Sequence, residues 1–394
     1  MDIKYVMLLA AGMVLTFSSC EQKKKSANVV VEAVSDSDSI QKADGPKLES
    51  NEELNDAARF VAGMPIENKK SKLYELTQTE EWKKHSKNMD QIWNSFLQSA
   101  PKVMAFSQNE LGTINSEYKT IFYPFGGPDY LFPNTFFPDM DTYFLIGLER
   151  AGNPIKVKHP SVATYRLYQN AVSDILNLSF FRTIDMKQEL SNDTIDGVVP
   201  IISMLMARSD REIVSIEHKR INDEGEIVGT EEDGSPVNNQ SKLVEFKFFK
   251  SGTNKLQTLY FLSTDLSNGG FPENKPLMAY VDTLDKATTA CFIKSASYLM
   301  HMTYFSKIRE AILSHVSAIM QDDSGIPWCY YDQSKWDIQL YGSFSKPISM
   351  FGKYPQPDLR EAYMTMNPKP INFRMGYARQ SNLQLSILKK QNEE

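Results

Sequence analysis

The spacing of apolar residues along the chain predicts a helical region first. From residue 51 to residue 109, five apolar residues recur at intervals of seven, four, three and four positions, namely Trp82, Met89, Trp93, Phe96 and Ala100. These intervals place them on one face of a helix. Aromatic side chains at helical spacing usually belong to a core, and Pro101 predicts an end or a kink of the helix.

The pattern then changes to short continuous apolar runs, which are typical of strands buried on both faces. "TIFY" at 120–123 is one such run, and "TYFLIGL" at 142–148 is the next. "SVATYRLYQNAVSDILNL" at 161–178 has apolar residues on one side and predicts an amphipathic helix. A second helix is predicted over 185–206, interrupted by Pro200.

Alternating residues from 212 to 250 predict antiparallel strands. "EIVSIEHKRINDEGEIVG" contains a hairpin turn signal at residues 222–225. "SKLVEFKFFK" places Val244, Phe246 and Phe248 on one face of the next strand.

The first strand–corner pattern then recurs. "TLYFLSTDLSNGG" at 258–270 echoes "TIFYPFGGPD", and another apolar run follows at 288–296. A helix is predicted from one apolar stripe, formed by Phe305, Ile308, Ile312, Val316 and Ile319. The order strand, corner, helix, strand, helix therefore occurs twice and indicates a possible duplication. Alternating strands and helices predict an α/β fold with parallel strands.

The C-terminal third reads as an antiparallel extension of the sheet. Four short segments separated by Pro and Gly turns are predicted to be its strands: "DDSGIPWCYYD", "WDIQLYGSF", "PINFRMGYA" and "NLQLSILKK".

The N-terminus predicts export. Lys4 precedes an apolar run of about 13 residues, which is a signal-peptide core and is too short to span a bilayer. Ser18 and Ser19 directly before Cys20 resemble the lipobox of bacterial lipoproteins, although Phe17 replaces the commoner Leu. The resemblance implies cleavage before Cys20 and lipidation of its sulfur and amino group, whereas an ordinary signal peptide with a chance cysteine is the alternative. Two or more acyl chains anchor a protein stably to a membrane.

The chain is therefore divided into five parts. Residues 1–19 form a signal peptide, and 20–50, rich in Ser, Lys, Asp and Glu, form a flexible lipidated tether. Residues 51–117 form the helical segment, 118–210 the first α/β half, and 211–394 the hairpin, the second half and the β extension. We expect an outer-membrane lipoprotein facing the periplasm, with Glu21 leaving inner-membrane retention open.

Composition narrows the classes of partner. The net charge is -6 with mixed signs, which does not indicate a nucleic-acid surface. No later apolar segment approaches the length of a membrane span. Cys291 and Cys329 could form a disulfide in an oxidising compartment, or each could be a small core residue. No zinc-ligand spacing occurs, and no metal is expected.

The corner at residues 126–129, "GGPD", raises the question of a nucleotide site. Pro128 and Asp129 suit the first turn of a helix, and Glu149 at the end of the next strand could accept hydrogen bonds from ribose hydroxyls. This layout resembles the nucleotide-binding half of Rossmann-type methyltransferases. The three-glycine fingerprint is absent, an Asp would repel a phosphate, and export removes the protein from cytosolic cofactors. We therefore expect a tight corner that positions Tyr123 and neighbouring aromatics, and we predict no cofactor.

Two further stretches carry reactive side chains. In "KSASYLMH", Lys294, Tyr298 and His301 could perform acid–base chemistry, or Lys294 could end a strand at the surface while His301 lies in the core. In "QDDSGIPWCYYD", Asp322 and Asp323 are expected to close a helix, where acidic residues oppose the macrodipole unless they have partners. A simple turn explains this stretch, since Asp and Ser make local backbone hydrogen bonds, but that cost makes it the first candidate for a functional loop. The Gly-x-Ser-x-Gly and Ser-x-x-Lys nucleophile motifs do not occur.

The segments "FYPFGGPD", "SYLMH" and "QDDSGIPW" resemble those of an uncharacterised family of exported bacterial proteins, over residues 118 to 388. That resemblance implies export and brings no activity, substrate or catalytic residue.

The leading functional hypothesis is a binding or scaffold module. Its crevice would lie between the two matched corners and take a sugar, a peptide or a cell-wall fragment. The predicted lining residues are Tyr123, Asp129, Asp265 and Trp328. The alternatives are a hydrolase or transferase of envelope polymers, using Asp322 or Asp323 with His301, and a structural component of an envelope assembly.

Overall fold

The computed structural model describes residues 48–155, 160–178, 191–192, 195–230, 242–377 and 381–390. The predicted signal peptide, Cys20 and all but the last three residues of the tether lie outside the described residues. So do residues 185–190, at the start of the predicted second helix.

Twelve strands occur among these residues. In chain order they are β1 (Thr120–Tyr123), β2 (Thr142–Gly147), β3 (Ser191–Asn192), β4 (Ile195–Asp196), β5 (Arg211–Ile221), β6 (Ile227–Gly229), β7 (Leu243–Lys250), β8 (Leu256–Ser263), β9 (Thr289–Ile293), β10 (Ala318–Gln321), β11 (Trp336–Gly342) and β12 (Asn382–Leu388).

The helices of the described residues are α1 (Glu52–Val61), α2 (Glu80–Glu110), α3 (Gly112–Glu117), α4 (Leu131–Phe136), α5 (Val162–Leu178), α6 (Val199–Arg208), α7 (Lys275–Asp282), α8 (Ser306–His315) and α9 (Pro357–Thr365). Short 3₁₀ turns occur between them.

Ten strands form one mixed sheet in the order β11-β12-β10-β9-β1-β2-β8-β7-β5-β6, and β3 and β4 pair separately. The five central strands, β10-β9-β1-β2-β8, are mutually parallel, whereas the pairings on both flanks are antiparallel. The predicted α/β class is confirmed. From β1 the chain proceeds to β2 and β8 on one side and later to β9 and β10 on the other. The strand order thus reverses beside β1, the topological switch point of a doubly wound sheet.

Helices cover both faces of the central strands. Ile121 and Tyr123 of β1 enter one core and Phe122 between them enters the other, because successive strand residues face opposite sides. The first core includes apolar residues of α1, α2, α4, α5 and α6. The second includes apolar residues of α7 and α8. The continuous apolar runs of β1 and β2 are explained by this double burial.

The predicted helical region at 51–109 contains two helices, α1 and α2, rather than one continuous helix. α1 ends at Val61, after which Gly63 has a φ of +67°. Pro65 follows and disfavours a helical conformation at the residue before it. The predicted core face of α2 is confirmed, because all five of its stripe residues are buried. Pro101 lies inside α2 and does not end it.

The apolar stripe from Phe305 to Ile319 was wrongly assigned to one helix. α8 ends at His315, and Ile319 lies in β10, which pairs with β9 and β12. Asp322 and Asp323 therefore follow a parallel strand and do not close a helix. The helical spacing of these apolar residues gave the wrong assignment for Ile319, because β10 is formed by pairing with strands distant in sequence.

In the C-terminal third, β11 and β12 form the predicted antiparallel extension. "DDSGIPWCYYD" is instead a loop with a 3₁₀ turn, Trp328–Tyr330. The described part of "PINFRMGYA" forms no strand, and α9 is a helix that the apolar pattern did not reveal.

The order strand, corner, helix, strand, helix occurs twice, as the sequence predicts, in β1-α4-β2-α5 and β8-α7-β9-α8. The pairings differ, however. β1 and β2 are neighbours, whereas β8 and β9 are separated by β2 and β1. The two units therefore meet around the switch point and do not form successive copies side by side.

Candidate functional site

A cavity of about 180 Å³ lies at the carboxyl ends of the central parallel strands. The segments after β1, β2, β8 and β9 contribute its wall. The lining residues are Phe125, Gly127, Ile146, Gly147, Leu148, Glu149, Thr264, Asp265, Leu266, Ser295, Ala296, Ser297, Leu299 and Phe305. Ligands of open α/β sheets bind outside the carboxyl ends of strands at a topological switch point. This cavity has that position.

The corner after β1 is a left-handed turn of the backbone. Phe125 has a φ of +64° and Gly127 a φ of +54°. The Gly127 amide donates to the Ile146 carbonyl at 3.1 Å, which fastens the corner to β2. Non-glycine residues adopt this conformation at an energetic cost, and such residues often lie at functional sites. The corner directs the Phe125 ring to the cavity and brings backbone close to the end of β2.

Glu149 follows β2 and is buried, with 2% of its surface exposed. Its carboxylate packs against two glycines of the cavity wall. A Cβ atom at Gly127 would lie 3.3 Å from Glu149 Oε2, and a Cβ at Gly147 would overlap the same oxygen. The absence of side chains at both positions makes room for the carboxylate.

Asp265, after β8, is exposed at the mouth of the cavity. Its Oδ1 accepts the Ser267 amide and its Oδ2 accepts the Ser267 hydroxyl, both at 2.8 Å. Glu149 and Asp265 are the carboxylates among the described lining residues, which include no Lys, Arg or His. Attraction to an anionic ligand is therefore not expected at this wall.

The segment 295–298, after β9, forms another part of the wall and is strained. Ser295, Ser297 and Tyr298 have φ values of +54°, +53° and +53°. Side chains from elsewhere hold its amides. Ser295 N–H donates to Asp322 Oδ2 and Ala296 N–H to the Ser324 hydroxyl, both at 2.7 Å.

The next amide of this segment, that of Ser297, donates to the Tyr377 hydroxyl at 2.9 Å. Tyr377 in turn donates to the Ser295 carbonyl. Because the amides of Ser295, Ala296 and Ser297 already have acceptors within the protein, they do not form an oxyanion hole.

A buried ion pair lies behind the wall. Lys294 Nζ is 2.7 Å from Asp129 Oδ2, and both side chains are almost completely buried. Nζ also lies 3.5 Å from the centre of the Phe132 ring. The Tyr123 hydroxyl donates to Asp129 Oδ2 at 3.2 Å. The expectation that Lys294 ends a strand at the surface is wrong, because its charge is balanced by an aspartate distant in sequence.

Asp322 and Asp323 are both buried, at 1% and 7% exposure. Asp322 Oδ1 accepts the amide and hydroxyl of Ser324. Asp323 Oδ1 accepts Asn382 Nδ2 at 2.8 Å, and its Oδ2 accepts the Tyr298 hydroxyl. Burial, and secondly the charge of Asp323, raise the pKa of Asp322 to about 6. Burial also raises the pKa of Asp323.

His301 lies beside Tyr298, with their ring centres 4.9 Å apart. Burial lowers the pKa of His301 to about 4, opposed by hydrogen bonds to the backbone at Asp323 and Gly325. None of His301, Asp322 and Asp323 lines the cavity. The predicted carboxylate–histidine pair is therefore placed behind the wall, where both carboxylates accept hydrogen bonds from the protein.

The two matched corners do border the same cavity, through Gly127 and Asp265. Of the four predicted lining residues, Asp265 lines it. Tyr123 and Asp129 belong to the buried network behind it, and Trp328 packs in a separate apolar cluster with Leu340 and Phe344. Sequence reasoning missed Ser295 and Ser297 as wall residues, although the position of "SAS" directly after a buried strand was a usable signal.

Other predicted features can be placed. Cys291 is buried and Cys329 is exposed, and both are free thiols. Within the described ranges, no three or more His, Cys, Asp or Glu side chains form a group that could hold a metal ion. The same residues contain no helix with the length and apolar character needed to cross a membrane.

A scan against protein-family models finds no match for the chain, and a search of curated proteins finds no significant similarity.

Proposed function

We propose that this protein is a lipid-anchored binding module of the cell envelope that holds an unphosphorylated nucleoside in the switch-point cavity. Glu149 would accept hydrogen bonds from the two vicinal hydroxyls of the ribose. The observation that carries the proposal is the position of the buried Glu149 carboxylate against Gly127 at the reversal of strand order.

The positions of the glycine corner and of the acidic residue Glu149 support the binding of a ribose. In doubly wound sheets, an acidic residue about 20 residues beyond the first glycine corner binds ribose hydroxyls. Glu149 stands at that distance from Gly127. A carboxylate can accept two hydrogen bonds from neighbouring hydroxyls.

Size and wall character support a small, partly apolar ligand. The cavity of about 180 Å³ is smaller than sites for drug-sized molecules, which begin at roughly 300 Å³. Phe125, Leu266 and Phe305 supply apolar surface that suits a planar base. The polar groups are few, as is usual for sites that fix the orientation of a small ligand.

The charge of the wall supports a ligand without phosphates. Two carboxylates among the described lining residues, and no cationic side chain, would repel a nucleotide. A neutral nucleoside avoids this repulsion. A nucleoside ligand also agrees with the proposed location outside the cytosol, because nucleotide cofactors are found inside it.

Calorimetric titration of the purified protein with three probes tests the proposal. Adenosine is expected to bind, and 2′,3′-dideoxyadenosine, which lacks both hydroxyls, to bind at least about tenfold more weakly, since a hydrogen bond to a charged group contributes about 1.5–3 kcal/mol. Adenosine 5′-monophosphate should also bind more weakly because of its charge.

A matched pair of variants locates the effect. Glu149→Gln should weaken adenosine binding at least about tenfold, whereas Glu224→Gln, at an exposed position in the β5–β6 turn, should leave it unchanged. Equal affinities for adenosine and its dideoxy analogue would overturn the proposal, as would an unchanged affinity in Glu149→Gln.

Nucleoside-dependent group transfer is a second candidate. It is favoured by the central strand order, β8-β2-β1-β9-β10, which has the 3-2-1-4-5 pattern of Rossmann folds. The resemblance to the nucleotide-binding half of Rossmann-type methyltransferases points the same way, and a sulfonium nucleoside would suit the two carboxylates. This candidate requires a cytosolic protein. Mass spectrometry of the N-terminus separates the two, because an unmodified full-length N-terminus in the soluble fraction favours group transfer.

A hydrolase or transferase that uses Asp322 or Asp323 with His301 is less well supported. Both carboxylates accept hydrogen bonds from the protein, and neither borders the cavity. A structural role in an envelope assembly has no specific observation in its favour.

A further inference from the structure

The cavity wall contains a segment that cannot hold its shape by itself. Three of the four residues at 295–298 are non-glycine residues in the left-handed region. Each such residue costs about 1–3 kcal/mol and persists only where surrounding groups enforce it. Contacts from other parts of the protein must therefore stabilise the conformation of residues 295–298.

Asp322 is the charged group at the centre of those contacts. Its Oδ2 accepts the Ser295 amide at 2.7 Å. Its Oδ1 accepts the Ser324 hydroxyl, and the same hydroxyl accepts the Ala296 amide at 2.7 Å. One carboxylate thus orders two successive amides of the wall, one directly and one through Ser324.

Asp322 is also tightly enclosed. A Cβ atom at Gly376 would lie 2.8 Å from Asp322 Oδ2, so no side chain intervenes between the carboxylate and the backbone of that turn. The titratable groups that act on it or are acted on by it are Asp323, Lys294, Tyr123, Tyr298, Tyr363 and Tyr377.

The charges of this buried group do not balance when all are ionised. Asp129, Asp322 and Asp323 carry three negative charges, and Lys294 carries one positive charge. The tyrosines stay neutral, because burial raises their pKa values. Buried like charges are relieved by protonation of one member. Asp129 is paired with Lys294, which leaves Asp322 and Asp323 as the pair that takes up a proton.

We propose that Asp322 is a proton-operated catch for the cavity wall. When ionised it holds residues 295–298 in the binding shape, and when protonated it releases them, so ligand affinity falls in acid. This regulation rests on the proposed function of the cavity. Two features support it: the carboxylate bonds directly to the strained segment, and Ser295, Ala296 and Ser297 line the cavity.

The direction of the effect follows from hydrogen-bond strength. A charged acceptor forms hydrogen bonds roughly twice as strong as those of a neutral one. The hydrogen bonds from Ser295 and Ser324 lower the pKa of Asp322, against the larger effect of burial. Opening of residues 295–298 breaks these bonds while Asp322 stays enclosed, so its pKa is higher in the open segment than in the closed one. Protonation therefore favours opening. Burial raises the pKa of Asp322 to about 6, which places the change between about pH 5 and pH 7. The pKa of the neighbouring His301 is lowered to about 4, so His301 titrates below this window.

Hydrogen exchange of the ligand-free full-length protein tests the catch. Protection factors, corrected for intrinsic exchange rates, are measured between pH 5 and pH 7.5 for a peptide covering residues 295–302. Protection is expected to fall at least about fivefold toward pH 5, because opening of the segment becomes easier. A peptide covering β2 reports on global stability, so the loss of protection at 295–302 is measured relative to the change in that peptide.

Two variants identify the titrating group. Asp322→Asn keeps an oxygen acceptor but cannot ionise, so its protection at 295–302 should be low and independent of pH. Tyr377→Phe removes the acceptor of the Ser297 amide at every pH, so its protection should be lower throughout while the pH dependence persists.

If protection of residues 295–302 in the wild type did not change with pH, the proposal would be overturned. It would also be overturned if protection in Asp322→Asn changed with pH as much as in the wild type. If Asp322→Asn fails to fold, protection in the wild type that does not change with pH still overturns the proposal. Because no ligand is present, a failure of adenosine to bind tells against the proposed function and leaves this readout intact.

Discussion

Gly147→Ala is the change whose consequences follow most directly from the geometry of the cavity. A Cβ at this position would overlap Glu149 Oε2 and would lie 2.8 Å from the Cα of Gly127 and 3.3 Å from Phe261 Cε2. The carboxylate could swing away, but the Gly127 contact is with backbone and can be relieved only by moving the corner. Forcing a methyl group into a packed site of this kind typically costs about 1–3 kcal/mol.

The expected result is therefore a loss of about 2 kcal/mol in the free energy of unfolding, measured by urea denaturation, with an unchanged slope. Adenosine affinity should fall at least about tenfold, because the displaced carboxylate loses a hydrogen bond to the ribose. Gly112→Ala is the matched control. A Cβ at Gly112 meets nothing within 4 Å, so that variant should be as stable as the wild type or up to about 1 kcal/mol more stable.

An unchanged urea midpoint together with an unchanged adenosine affinity in Gly147→Ala would contradict this expectation. Glu149 could not then occupy the space between the two glycines. A loss of stability without a loss of binding would place the ligand elsewhere.

Three further predictions concern buried groups. Burial lowers the pKa of His85 to about 4, so the folded state resists protonation of this side chain. Between pH 7 and pH 5, His85 should therefore lower the free energy of unfolding by about 2 kcal/mol. Urea denaturation at the two pH values should show that His85→Gln lacks this loss. Lys294→Met leaves Asp129 buried without its cation and should cost about 3–5 kcal/mol at pH 7 by the same measurement, with recovery when Asp129→Asn is added. A thiol reagent should modify exposed Cys329 in the folded protein and reach Cys291 only after denaturation, as read by mass spectrometry of the labelled peptides.

Each has a control and a contrary result. Lys307→Met removes an exposed lysine and should change stability by less than about 1 kcal/mol, so an equal effect of both lysine variants would contradict a buried pair. For His85, an identical acid loss in the wild type and in His85→Gln would show that another group titrates. For the thiols, rapid labelling of Cys291 without denaturant would show that the sheet is open at β9.

The local pattern of apolar residues correctly predicted those helices and strands in which it reflects directly which faces are buried. The residues of β1 and β2 are apolar at nearly every position because both faces of these strands are covered, and their ends were placed within about a residue. The stripe of α2 was equally clear, since one face of a long helix enters the core. At 316–321 the pattern failed, because β10 is short and its strand pairing is decided by β9 and β12.

The site was predictable in its corners and not in its interior. Asp265 follows an apolar run and was predicted as a lining residue, because the carboxyl ends of parallel strands meet. Glu149 was raised only for a nucleotide site that the sequence did not favour. Tyr123, Asp129 and Trp328 were also predicted to line the cavity and do not. The burial of Lys294 could not be predicted, since its partner Asp129 lies in another unit of the fold. The role of Asp322 at residues 295–298 likewise depends on the adjacency of β9 and β10.

A crystal structure of the protein grown with adenosine tests the central claim most directly. We expect density for the nucleoside between the corner after β1 and residues 295–298, with both ribose hydroxyls within about 3 Å of the Glu149 carboxylate. An empty cavity at saturating adenosine, or a nucleoside whose ribose points away from Glu149, would contradict it.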